Sequence, residues 1–550
     1  MNVSKLTVSA ITVICLAGCG GGGSESTPPP PQNPSSGFTS QSATSTVISG
    51  KVTFDRVPHN QTSGLDYASA FQAPIRGAVI EAVDASGNLM SQSISDSQGE
   101  YSLTVDSDTD TRLLVKAQLI SDEDAKWNFT VTDNTQGNQL YALQGSLASS
   151  GSNNRQTRDL HAGHGWTGQS YGAPRSAAPF AILDSVYSAV QSFVEVDASI
   201  DFPALELRWS VNNKTQLGNR SEGRIGTSAF FPEEDGGVIY LLGEEGRDTD
   251  EYDQHVILHE WGHYFEHQLS RSDSIGGFHS LNDRLDARVA FSEGWGNALS
   301  AIITGDPIYR DSGGTNQASG FSFSLETGNI INPGWFNEAS IGSIIYDVFD
   351  TQSDGSDNIS AGLGPIYNVM SSDSYKTAPV FTTIFALADG LRSDMPEEVS
   401  TLTALLETQS ISGEGPNGNG EINSGAIRSA LPVYKEVSLN GRSTQICSVD
   451  DAGLFNKLGN REFIFLNLDA ETDVEMSLVK SSGDEERDPD FNIWRGNQLV
   501  HEAATAIRGE ESFDGRLPAG EYVIEVFDFF NINGSGSRRG DSCYDFSVTG

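Results

Sequence analysis

The sequence predicts a multidomain fold in which an N-terminal antiparallel β-sandwich is followed by a central α+β domain and a C-terminal β-sandwich. Three observations predict it. At 550 residues the chain exceeds what one hydrophobic core usually serves. Its 58 glycines, with many Ser, Thr, Asn and Asp residues, divide the flanking regions into short segments bounded by turns. Apolar residues alternate with period two towards both ends but recur at helical spacing in the middle. Hydrophobic residues make up 37% of the whole, enough to fill several cores.

Residues 1–18 read as an export signal. Lys5 precedes an apolar run, Leu6 to Leu16, that is too short to cross a bilayer as a helix. The run ends in Leu16-Ala17-Gly18-Cys19, which resembles the lipobox of bacterial lipoproteins; an ordinary cleavable signal is the alternative. The resemblance implies that Cys19 is lipidated as the new N-terminus and that Cys15 is discarded. Gly20, standing where Asp is absent, resembles lipoproteins sent on to an outer membrane, facing the periplasm or the exterior. Residues 19–46 contain GGGG and PPPP with hardly an apolar side chain, so they form a disordered tether.

Residues 47–150 carry the alternating runs VISGKVTF, GAVIEAV, GEYSLTV and RLLVKAQL, separated by turn signals such as Ser86-Gly87-Asn88 and Ser97-Gln98-Gly99. The stretch from SGKVTF to GEYSLTV resembles the carboxypeptidase regulatory-like sandwich, which implies an accessory role. Residues 151–435 form the central domain. PFAILDSVYSAVQSFVEV has helical spacing, LELRWSV and GGVIYLL read as strands, and several helical stretches follow. Residues 436–550 return to strands, among them EFIFLNL, DVEMSLV and CYDFSVTG. Through DPDFNIW and LPAGEYVIEV this region resembles the pre-peptidase C-terminal sandwich. Export would place Cys447 and Cys543 in an oxidising space, where an even pair reads as a disulfide bracing this last domain.

Charge narrows the possible partners. The formal net charge is −41, from 74 acidic and 33 basic side chains, and such a surface repels phosphate backbones and anionic headgroups. Nucleic acid is therefore excluded, and membrane contact is expected through the N-terminal lipid only. The Asp-rich stretches DSDTDT and SDGSDN could take Ca²⁺, but neither follows a full oxygen-ligand loop.

The chemistry lies in His259-Glu260-Trp261-Gly262-His263. On a helix, residues four apart share a face, so both imidazoles can reach one Zn²⁺ at about 2.0–2.1 Å. Glu260, next to His259 round the helix, can address a water there as general base. A catalytic zinc needs a third protein ligand. The extended pattern with a later histidine is excluded, because Glu266 and Leu269 occupy its glycine and histidine positions. Glu293, in RVAFSEGWGNALSAII, would project from a second helix, with Asn297 one turn later to orient an imidazole. This arrangement resembles the thermolysin-like gluzincins, making the central domain zincin-like. The resemblance implies His259, His263 and Glu293 as ligands and Glu260 as the base of a zinc-dependent peptidase, an endopeptidase being the expected form. The long gap between His263 and Glu293 leaves His279, Asp283 and Asp286 as rival ligands.

Other residues take supporting places. SAFFPEEDGGVIYLLG resembles the edge strand on which zinc peptidases bind an extended peptide. A donor for the oxyanion is also needed, and Tyr346 and His279 are candidates. His255 and His267 continue the stripe as flanking residues, while His161 and His164 lie in a glycine-flanked loop without an evident third ligand. The expected partner is a peptide or protein. Two other function classes stay open: a surface adhesion lipoprotein with a structural zinc, and a zinc hydrolase of a non-peptide bond.

Overall fold

A computed structural model describes residues 44–234, 236–351, 358–533 and 538–550. The expected export signal, Cys19 and nearly all of the tether lie outside these residues, as does most of SDGSDN. No helix among the described residues is long and apolar enough to cross a membrane.

The first long strand, Ser45–Arg56, buries alternate residues and pairs antiparallel with Glu100–Asp106, Val47 standing opposite Thr104. A second sheet runs in the order Ala229–Glu233, Gly236–Leu241, Ala204–Trp209, Lys126–Asp133, Asp110–Asp122, Ala78–Val83 and Leu89–Ile94. It crosses the boundary expected at residue 150. Lys126–Asp133 lies parallel to Ala204–Trp209, with Leu205 opposite Phe129, so the N-terminal strands and the central region share one sheet. Alternation marks a strand with one buried face but does not name its partner. A parallel pair needs a crossover, which here contains helix α1 (Ala178–Val196). Pro179 opens α1, and Phe193 from it packs with Trp261 and Phe265.

The next three helices are α2 (Gln254–Gln268), α3 (Ala287–Thr304) and α4 (Glu338–Phe349), with shorter ones such as Leu363–Ser371 and Ile384–Asp394 after them. Asp286 caps α3 by accepting from the Arg288 N–H, and Asn337 caps α4 by accepting from the Ser340 N–H. The helices approach closely because glycine faces helix where they cross. A Cβ on Gly262 would stand 3.1 Å from the Cα of Gly296, and one on Gly294 would meet Ile341 at 2.7 Å. Trp295 seals the α2–α3 contact, its Nε1–H donating to the Gly262 carbonyl at 3.0 Å.

The C-terminal region is a sandwich of two sheets. One runs Tyr434–Glu436, Arg461–Leu468, Gly520–Asp528, Pro489–Arg495 and Gln498–Ala503. The other runs Thr444–Ser448, Ser542–Thr549, Thr472–Ser482 and Glu510–Leu517. Ile464, Phe491, Tyr544 and Phe546 fill the space between them. Cys447 and Cys543 stand opposite one another on adjacent antiparallel strands and are joined as a disulfide. This sandwich is tied to α3 through Arg288, which is buried and bonded to Asp286 and to Glu525.

Candidate metal centre

Helix α2 presents His259 and His263 one turn apart, and α3 presents Glu293 towards them. His259 Nε2 lies 3.1 Å from His263 Nε2 and 3.1 Å from Glu293 Oε2, and His263 Nε2 lies 3.5 Å from the same oxygen. Ligands at 2.0–2.1 Å in a tetrahedron are about 3.3–3.4 Å apart, so the three atoms fit the corners around one metal ion. Their outer contacts prepare them for that. His259 Nδ1 faces the Asn297 side-chain oxygen at 3.0 Å, which turns its N–H outward and leaves Nε2 bare. His263 Nδ1 faces the Ser292 hydroxyl at 3.1 Å, and that hydroxyl in turn donates to buried Glu266 at 2.5 Å. Gly296 allows the imidazole to lie flat on α3, since a Cβ there would stand 2.8 Å from His259 Nδ1.

The electrostatics of the cluster are those of one carboxylate among imidazoles. Burial opposes charge on each group, but their mutual attraction exceeds it. Burial would raise Glu293, yet His263, His259 and His279 hold its carboxyl well below the usual range. Burial would lower His263, yet Glu293 first and then Glu266 push it well above the ordinary imidazole value. Glu266 itself is raised by its burial.

Glu260, adjacent to His259, lines the same cavity as the three-atom cluster without joining that cluster. Its Oε2 accepts from the backbone N–H of Phe230 at 2.7 Å. Phe230 belongs to Ala229–Glu233, the last strand of its sheet, whose free edge therefore faces the cluster. Between this strand and residues 272–279 opens a cavity of about 690 Å³, lined also by His259, Glu260, His263, His267 and Glu293. His279 closes its far wall. His279 Nε2 is 3.2 Å from Glu293 Oε2, and its Nδ1 is 2.6 Å from Glu338 Oε2 at the start of α4. Burial would lower His279, but the bond to Glu338 and the charge of Glu293 raise it to about 9.

The remaining sequence candidates are dispersed. Asp286 is held by Arg288 at the start of α3, and Asp283 pairs with Lys457 at 3.3 Å. Tyr346 lines a different cavity with Gly305 and Phe349. His255 is buried, donates to the Asp306 carbonyl at 3.1 Å and is lowered to about 4, chiefly by burial. His267 stands exposed on the cavity rim. His161 and His164 flank Asp55 at 3.1 and 3.9 Å. DSDTDT supplies the turn between Glu100–Asp106 and Asp110–Asp122. An acidic cluster of Asp248, Asp250 and Asp311 was not legible; burial first, and then nearby carboxylates including Asp253, raise its carboxyls, Asp248 to about 6 and Asp311 to about 8. Glu338, Ser292 and the Phe230 N–H were likewise not legible, because each reaches the centre only through tertiary packing.

The Mycolysin C-terminal domain matches residues 234–381. That segment contains the residues of the centre from His259 to Glu338, whereas Phe230 lies just before it. The domain is associated with peptidases, which supports a protease with a protein or peptide substrate and is compatible with a metal cofactor. No curated protein matches the chain. Among solved structures, the pre-peptidase C-terminal domain of a Bacillus anthracis collagenase is 15% identical, with 21% of this chain and 94% of that chain covered at a TM-score of 0.15. The periplasmic g-type lysozyme inhibitor PliG of Aeromonas hydrophila is 17% identical, with 21% and 96% covered at 0.13. A family 35 carbohydrate binding module from Clostridium thermocellum is 12% identical, with 19% and 85% covered at 0.13. Scores this low carry no inference about fold or activity.

Proposed function

We propose that the chain is an exported, lipid-anchored zinc metallopeptidase in which His259, His263 and Glu293 hold one Zn²⁺ and Glu260 is the general base. The observation that carries this reading is the convergence of two imidazole nitrogens and one carboxylate oxygen at 3.1–3.5 Å. A bound zinc ion would supply Lewis acidity to a water and to the scissile carbonyl.

The protein's own residues supply the rest. The free edge of Ala229–Glu233 can hold an extended peptide through its backbone groups other than the Phe230 N–H, which brings a peptide bond alongside Glu260. The Phe230 N–H fixes one carboxylate oxygen of Glu260, leaving the other to take a proton from water and return it to the leaving amine nitrogen. His279, oriented by Glu338 through Nδ1, donates its Nε2–H to the carbonyl oxygen as negative charge develops there. The lipobox-like Leu16-Ala17-Gly18-Cys19 supports anchoring through Cys19, and Gly20 supports an outer-membrane destination. The Cys447–Cys543 disulfide supports an oxidising compartment.

Glu260→Gln tests the base. Digestion of casein should fall about 10²–10⁴-fold while zinc per chain, read by elemental analysis, stays at one equivalent. Activity equal to the parent would sink the assignment. Failure of the parent to digest casein or gelatin, with zinc bound, would instead favour an adhesion protein with a structural metal.

A further inference from the structure

The wall that carries His279 has no secondary structure of its own. Residues 271–280 form neither helix nor strand, and Gly276 and Gly277 adopt φ of +60° and +102°. Nothing in such a stretch fixes an imidazole to the tolerance that catalysis needs. Thr382 holds the start of the stretch through Asp273 and Glu338 bonds the imidazole, while the carbonyls just before His279 are held from far along the chain, by Phe455–Leu458 in the C-terminal region. Asn456 Nδ2 donates to the Gly276 carbonyl at 2.9 Å, and Lys457 Nζ donates to the Phe278 carbonyl at 2.6 Å. Lys457 is itself held by Asn456 Oδ1 at 2.7 Å and by Asp283 at 3.3 Å. The Phe455 ring lies so close to Gly277 that a Cβ there would meet it at 2.5 Å. Two main-chain bonds continue the clamp towards α3: Leu458 N to the Arg284 carbonyl at 2.9 Å, and Asp286 N to the Asn456 carbonyl at 2.8 Å.

We propose that Asn456 and Lys457 are positioning residues of the active site, setting the place of His279 from the C-terminal sandwich. The inference rests on the reading of His279 as the donor to the carbonyl oxygen. It makes the last 115 or so residues, the pre-peptidase-like sandwich of the sequence, part of the catalytic apparatus. The clamp holds the carbonyls one and three residues before His279, and Glu338 holds the imidazole from the other side. Loss of either clamp bond lets the backbone before His279 move while the ligands on α2 and α3 stay in place.

The test uses the full chain. Asn456→Ala and Lys457→Met should each lower kcat about 10- to 100-fold, with KM within about twofold and zinc content unchanged. Lys457→Arg, which keeps a donor, should recover most of the loss. In a His279→Ala background, whose own kcat is reduced, the two substitutions should have no further effect. Equal losses in the presence and absence of His279, or loss of zinc from the Asn456→Ala chain, would overturn the proposal and leave the role of His279 intact. A His279→Ala enzyme with parental kcat would overturn both.

Discussion

Gly296→Ala is the most informative single substitution, because helix propensity and site geometry predict opposite outcomes. Glycine inside a helix costs about 1 kcal/mol relative to alanine, so on propensity alone the change should stabilise α3. The new Cβ, however, would stand 2.8 Å from His259 Nδ1, 2.9 Å from Cε1 and 3.0 Å from Cγ. Ordinary contact begins near 3.5 Å, so the ring must retreat by about 0.7 Å. It has no slack in which to do so. Nδ1 is bonded to Asn297 at 3.0 Å, and Nε2 is within 3.1 Å of both Glu293 and His263. Metal sites tolerate ligand displacements of about 0.2 Å, so the shift exceeds the tolerance several-fold. Zinc affinity should fall about 10- to 100-fold, the range found when a ligand loses its orientation. Competition with a chromogenic chelator would measure this directly, and caseinolysis should recover in excess zinc. A Gly296→Ala chain with zinc affinity within about twofold of the parent would refute the packing argument.

Three further outcomes follow from the same geometry. Phe278 is 91% exposed on the cavity wall beside His279, opposite Phe230; Phe278→Ser should lower kcat/KM about five- to tenfold for peptides with a large apolar residue near the cleaved bond. Equal losses on peptides lacking such a residue would count against a substrate contact. The disulfide closes a separation of 96 residues, so replacing Cys447 and Cys543 by Ser should lower unfolding stability by about 4–5 kcal/mol in the loop-entropy model, read from denaturant midpoints with matched m-values. Midpoints that do not differ would refute it. Burial, and then Asp488 and Glu511, raise Asp490 to about 8, and its Oδ1 is buried without a hydrogen-bond partner. The folded chain thus keeps a proton that the unfolded chain releases near pH 4, so this contribution is complete below about pH 4 and is lost as pH rises to about 8. Asp490→Asn should flatten the decline in melting temperature across that window, and an unaltered slope would contradict the assignment.

What could be read from the sequence divides by range of interaction. His259 and His263 are related by one turn of one helix, so their common face follows from spacing alone, and Glu260 stands beside it. Glu293 and Asn297 share a face of the next helix for the same reason, and the structure brings both to His259. The Cys447–Cys543 pairing needed only a count of the cysteines left outside the expected export signal and lipobox. By contrast, Lys126–Asp133 showed itself as a strand, but its parallel partner Ala204–Trp209 lies across α1, and alternation cannot express that. Glu338, the partner of His279, sits at the start of a helix where an acidic residue is expected for the dipole alone. Tyr346 had a chemically suitable hydroxyl on a helical stretch, yet its helix turns it towards another cavity. The glycines of HEWGH and SEGWGN were visible as letters; their purpose depends on which backbone crosses them.

The buried charges of α3 show how this precision is kept over such distances. Arg288 is 1% exposed, bonded to Asp286 at 2.9 Å and to Glu525 at 2.7 Å, with Arg461 joining Glu525 at 3.1 Å. Its guanidinium lies over the rings of Phe381 and Phe463. A buried ion network of this kind adds little net stability over apolar residues of the same volume, because desolvation offsets the attraction. What it does exclude is sliding. An apolar contact between the start of α3 and the strand Gly520–Asp528 would tolerate a shift of an ångström, whereas a displaced Arg288 would be left buried with Asp286 also unpaired, at about 3–5 kcal/mol. Glu293 lies less than two turns beyond Arg288, so the register that satisfies these charges is also the register that faces its carboxylate to His259 and His263.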